Sequence, residues 1–317
     1  MTNFQVYRKT LSFSFLMFAI DLGAIAILFG FPILAYVIMS KSSVEYIVAG
    51  MIVGFLLGII AVSLINIFIT NRVKAAQIAM MVKGVNEGVL PEHTFKAGFE
   101  EVRGRFAKIT VFFFITNAIR SIFRQIGRGV NKIGTALGGD TGNAITSAID
   151  SAIQTLIAYL CDCCLGWILF RDDINPFKAG CEGCVIFFKH GKTLIRNIGR
   201  IFGMGFLSFL VIGGGLTGLG YLIFSQFPSF FANMLQSMAE SGSEVPTDNV
   251  QIFMLIVAAV LAIALWTALH SVLVRPFILV GVLRNFMVAG KEHIPSEAEF
   301  NEVARMAPRF SKLQDRA

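Results

Sequence analysis

Apolar positions run almost unbroken for the width of a bilayer at four places along the chain. The first run covers 13–39, inside Leu11–Met39, where Asp21 is the only charge. The second covers 46–70 and carries no charge at all. The third covers 201–224 and the fourth 251–274. A helix needs about 20 such residues to cross hydrocarbon, and it satisfies its own backbone there. Each run is therefore predicted to span a membrane. The first is too long for the apolar part of a signal peptide, and no A-x-A-like site follows it, so it is expected to remain in place.

Two weaker runs lie between these. One is 106–126, which contains ITVFFFITNAI but also Arg120 and Arg124. The other is 144–170, which contains Asp150 and Asp162. They cross as a pair or not at all, because the flanking spans fix the side on which both begin and end. If they cross, the glycine-rich stretch Gly127–Asn143, with Arg128 and Lys132, lies on the side that charge disfavours. Helical spacing of mixed apolar and charged residues also predicts short amphipathic helices at 92–108, 176–190 and 296–313. Pro91 and Pro295 stand near two of their starts, and Ser296 is a cap for the last.

A repeat argues for the crossing pair. Thr94–Val102 (TFKAGFEEV) and Pro176–Cys184 (PFKAGCEGC) share FKAG-x-E. Met81-Val-Lys-Gly84, Pro91 and Phe99-Glu-Glu-Val102 are echoed by Met287-Val-Ala-Gly290, Pro295 and Phe300-Asn-Glu-Val303. The unit is a transmembrane hairpin followed by a short cytoplasmic helix, used three times. The expected fold is thus all-α, a polytopic transmembrane helix bundle of six spans in one integral domain, 1–317, with interfacial helices on the cytoplasmic side.

Composition agrees with a lipid environment. Of 317 residues 55% are hydrophobic and only 15% charged, and the mean hydropathy is +0.71. A soluble domain carries roughly a quarter charged residues. The net charge of +7 follows topology. Arg8 and Lys9 precede the first span. Arg72, Lys74 and Lys83 follow the second. Lys189, Lys192, Arg196 and Arg200 precede the third, and Arg275, Arg284 and Lys291 follow the fourth. The connector Ser225–Val250 holds Glu240, Glu244 and Asp248 without Lys or Arg. The positive-inside rule then puts both termini in the cytoplasm, beneath the cell's inner or plasma membrane, against anionic lipids. Nucleic acid is not expected as a partner, because the basic residues flank spans and form no separate domain.

Several residues invite chemistry. An acid inside a span usually faces the bundle or a water-filled path. Asp21 is such a residue unless its helix starts near Leu22 and leaves it among the headgroups. Asp150 and Asp162 pose the same question, and both are read toward one cavity. His270, late in the fourth strong span, is a polar packing contact or a proton-linked group. Gly213, Gly214 and Gly215 interrupt the third span, where an unwound turn would expose backbone to a solute. Gly50, Gly54 and Gly58 read as a close-packing face, and Pro32 as a kink.

All five cysteines fall between Cys161 and Cys184. Cys161-x-x-Cys164 and Cys181-x-x-Cys184 have the spacing of a four-thiolate zinc site. Cysteine is also a small apolar packing residue in such helices, and that is the preferred reading, with no cofactor expected. Phosphate-loop, H-E-x-x-H and G-x-S-x-G motifs are absent, which weakens an enzyme reading without removing it.

Cys161-Asp-Cys-Cys164, Asn175-Pro-Phe177, Phe187-Phe188 and Leu194-Ile-Arg-Asn-Ile-Gly-Arg200 lead into a glycine-containing span and a final helix pair. In this order residues 160–290 resemble the choline transporter-like family of polytopic membrane proteins. The resemblance implies transport of a small organic cation or related solute. The chain corresponds to the second half of such a protein, lacks its large extracellular domain, and has Pro176 where alanine is usual. No substrate residue is carried over. The function expected from the whole sequence is a transporter or channel-like carrier of a small solute. The alternatives are a non-transporting scaffold subunit that recruits partners through its cytoplasmic helices, with homo-oligomers or partner subunits, and a lipid-modifying membrane enzyme.

Overall fold

A computed structural model describes residues 1–39, 43–105, 109, 112, 116, 119–121, 141–190, 203–240 and 250–315. Among them all regular structure is helical. Two compact units are present, Met1–Ile198 with Leu279–Ala317, and Gly199–Ile278.

Among the described residues four helices are long and apolar enough to cross a membrane, as an integral membrane protein requires. The first is α1 (Asn3–Met39). The second joins α2 (Val44–Ile65) to α3 (Asn71–Asn86) through a π-turn at Asn66–Thr70. The third is α7 (Gly203–Phe224), with a π-turn at Phe209–Gly213. The fourth joins α9 (Val250–Leu269) to α10 (Arg275–Glu292) through a π-turn at His270–Val274. Their apolar windows are only 6%, 11%, 6% and 17% buried. Side chains such as Ile38, Val211 and Val260 face outward, which suits hydrocarbon and would not suit water.

α1 and α2 pack backbone to backbone. A Cβ on Gly54 would stand 2.8 Å from the Phe31 carbonyl oxygen, and one on Gly58 would stand 3.2 Å from Leu28 Cα. This is the close-packing face read from the glycine spacing. α1 runs helically through Pro32. Proline cannot donate to the carbonyl four residues earlier, and that carbonyl, on Leu28, lies beside Gly58. The π-turns have side-chain hydroxyls at hand to cover carbonyls that leave the regular ladder. Ser208 donates to Gly205 O at 2.8 Å, Thr217 to Gly213 O at 2.9 Å and Ser271 to Ala268 O at 2.7 Å. The glycine triplet therefore sits in a widened but continuous helix, where an unwound break was expected.

The best-buried part of the first unit lies outside the apolar runs of α1 and α2. It combines α3, α4 (Thr94–Arg103), the latter half of α5 (Thr141–Phe170), α6 (Pro176–Lys189), the end of α10, α11 (Glu297–Met306) and α12 (Pro308–Gln314). Cys163, Cys164, Leu165, Trp167, Leu283, Phe286 and Met287 are almost wholly enclosed. α3 is keyed to α1 twice. Gln77 donates to Ser14 Oγ at 2.7 Å, and a Cβ on Gly84 would meet Val6 at 3.0 Å.

Boundaries follow local chemistry. Asn175 caps α6 by accepting from Phe177 N at 2.9 Å. Ser296 and Glu299 form a capping box at α11. The single helix expected over 296–313 is two, because Pro308 lacks the N–H needed to continue α11 and Ala307 is extended. The acidic connector contains a helix that the apolar pattern does not announce, α8 (Pro228–Glu240). The weaker run 106–126 lies outside the described residues except at 109, 112, 116 and 119–121. There Ile109, Phe112, Thr116 and Ile119 are helical and buried.

Candidate functional site

The residues singled out by the sequence fall into separate places. Asp21 stands on the exposed surface of α1. Asp150 belongs to α5, and its side chain is outside the described residues. Positions 150 and 162 stand about 120° apart round a helix turning about 100° per residue, so the single face read for them does not hold.

Asp162 is enclosed where α5 meets α3. Its carboxylate, 2% exposed, lies 2.5 Å from Lys74 Nζ. One turn further along α5, Trp167 Nε1 donates to Glu182 Oε2 at 2.9 Å. The same oxygen accepts from Arg171 Nη1 at 3.1 Å. Arg171 also forks onto Asp173, at 2.8 and 3.0 Å. Bonding to Asp173, reinforced by Glu182, raises the guanidinium pKa further and keeps it charged. These groups are spent on one another and clamp α6 to α5, with a carboxylate as the buried hub.

The four thiolate candidates are all buried. Cys164 and Cys184 hydrogen-bond across the α5–α6 hairpin, and a Cβ on Gly183 would stand 3.0 Å from Cys164 Sγ. Cys164 is thus level with Gly183 and Cys184. Among the described residues no three His, Cys, Asp or Glu side chains are grouped to hold a metal ion. Burial pushes the Cys181 thiol up, and bonding to Cys164 together with burial pushes Cys184 up, so both stay protonated.

At the far side of this core, α11 is tied to α6 and to the end of α10. Glu299 accepts from Lys189, from Ser296 N at 2.8 Å and from Ser296 Oγ at 3.1 Å. His293 Nε2 lies 3.0 Å from each of its oxygens. Lys189 foremost, then the Ser296 amide and His293, hold the carboxyl down at about 2.

The second unit holds His270 and the glycines. His270 opens its π-turn, with its ring 5.3 Å from that of Trp266. Trp266 Nε1 donates to Ser208 Oγ at 3.3 Å and meets Phe209 edge-on at 5.1 Å. A Cβ on Gly205 would stand 3.9 Å from His270 Nε2, so the imidazole faces bare backbone of α7. Gly213 is packed on Phe209, while a Cβ on Gly214 or Gly215 would have no neighbour within 4 Å. His270 is therefore joined to Gly205, Ser208 and Trp266 rather than to the triplet. Ser208 and Trp266 were missed from the sequence. A signal existed: Trp266, one of two tryptophans, stands one helical turn before His270. Neither a family model nor a curated protein nor a solved structure matches the chain.

Proposed function

We propose that this chain is a non-transporting membrane scaffold, anchored by its apolar helices and recruiting partners through a helical core on the cytoplasmic side. The observation that carries this reading is where the packing lies. The spans bury few side chains, whereas α3, α4, α5, α6 and α10–α12 form a dry, interlocked core beyond them. Titratable groups that a carrier would hold open to water are paired in that core, Asp162 with Lys74 and Glu182 with Arg171.

The internal echo supports the same reading. Gly84 and Gly290, matched in the two MV-x-G segments, both sit at close helix approaches, the latter with a Cβ position 2.5 Å from Trp167. A repeated extramembrane packing unit suits a platform. Lys96 and Glu100, an exposed pair 3.9 Å apart on α4, and the exposed Glu302 on α11 are open to a partner without serving the core. Charge reversal at Lys96 and Glu302 tests this: partners crosslinked in native membranes are lost from the variants while thermal stability is retained. Unchanged recovery with both variants overturns the reading.

A second reading, a carrier of a small solute, draws on the Ser208–Trp266–His270 cluster beside two π-turns, a feature frequent at functional sites. Liposomes containing the purified chain, offered a solute panel, decide for it by uptake that His270→Ala abolishes.

A further inference from the structure

α7, α8 and α9 meet at the end of the second unit away from Arg275 and leave an open cavity of about 450 Å³. That volume suits a ligand site, for which roughly 300–1,000 Å³ is usual. Its floor is the buried side chain of Met254, with Ala232 and the half-buried ring of Tyr221. Ser225, Ser229 and Gln251 supply hydroxyl and amide groups around it, and no residue lining it is charged.

Tyr221 and Ser225 close the apolar run of α7, and Gln251 and Met254 open that of α9. The cavity thus lies where hydrocarbon gives way to the ester and glycerol layer of a leaflet. Phe227 and Phe230, at the start of α8, are 59% and 64% exposed beside it, an apolar shoulder suited to lipid. A molecule lying there meets hydrogen-bonding groups at its neutral polar part and Met254 at its chains. Among the described residues that line it, an ionic headgroup finds no opposite charge.

We infer that this cavity binds the glycerol-ester portion of a membrane lipid through neutral hydrogen bonds. The inference is independent of the scaffold reading. The test uses the full chain in nanodiscs with two photoactivatable probes, a diacylglycerol and a phosphatidylglycerol, each carrying the crosslinker at the start of an acyl chain. Both probes are expected to label peptides containing Ser229 or Met254 equally, since they share the ester region. The double variant Ser229→Ala with Gln251→Ala lowers that labelling about tenfold, as two lost neutral hydrogen bonds imply. Ala232→Trp, which fills the floor, removes it. Labelling by the phosphatidylglycerol probe alone, or labelling that survives the double variant, overturns the inference.

Discussion

Glu299 gathers Lys189, His293 and Ser296 around one carboxylate, and pH reads out what that gathering contributes. Its folded pKa, about 2, lies below the ordinary 4.5. A depressed carboxyl stabilises the fold fully above the ordinary value, and the contribution drains as pH falls toward the folded value. Thermal unfolding of the parent and of Glu299→Gln from pH 7 to 3 is expected to show a steady gap above 4.5 that narrows below it. A gap that does not change with pH rejects this account. At this scale the sequence marked the costly residues better than their partners. Asp162 stood out because an acid within an apolar run needs a reason. Lys74 reads as one of the flanking charges, and nothing in the sequence says that α3 turns it inward onto α5. Glu182 was visible only as a letter of the FKAG-x-E echo, because its donors, Trp167 and Arg171, come from the preceding helix and loop.

Element by element, apolar run length and glycine spacing were the legible signals. The α1–α2 hairpin follows from both. Gly54→Leu is expected to separate its helices and cost about 1–3 kcal/mol, the usual penalty of overpacking, because a Cβ there meets the Phe31 carbonyl at 2.8 Å. Gly23→Leu, whose Cβ position has no neighbour within 4 Å, is expected to be neutral. Steric trapping or chemical unfolding in micelles measures both, and equal effects contradict the packing argument. The starts of α6 and α11 are legible because Asn175 and Ser296 act locally, whereas Pro308 splits the one helix expected over 296–313. What the sequence could not supply was register between elements. The cysteine spacing is that of a zinc site, yet the hairpin bonds Cys164 to Cys184, and among the described residues no group of side chains is placed to hold a metal ion. α8 escaped notice because its Phe, Met and Ser residues form no run long enough to register as a span.

For the whole molecule, the same apolar composition serves two solvents. The spans face outward with it, and the core beyond them folds inward with it. Hydrogen exchange in micelles is expected to be slowest for Leu160–Leu169 and Leu279–Met287 and faster in α8, following burial. Faster exchange in those core segments than in α8 contradicts this order. Hydropathy alone cannot separate the two uses: the latter half of 144–170 is as apolar as a span and is enclosed by protein. The π-turn at Asn66–Thr70 shows how one helix serves both. In an uninterrupted α-helix Gly84 would lie about 80° round from Gly58, and Gln77 about 100°. A π-turn takes up one extra residue, which cuts those angles to about 20° and near zero at about 100° per residue. Gly58 in the span and Gln77 and Gly84 in the core then address α1 along one line. The turn is a phase correction: a single spare residue lets one long helix keep the same neighbour in lipid and in the core beyond it.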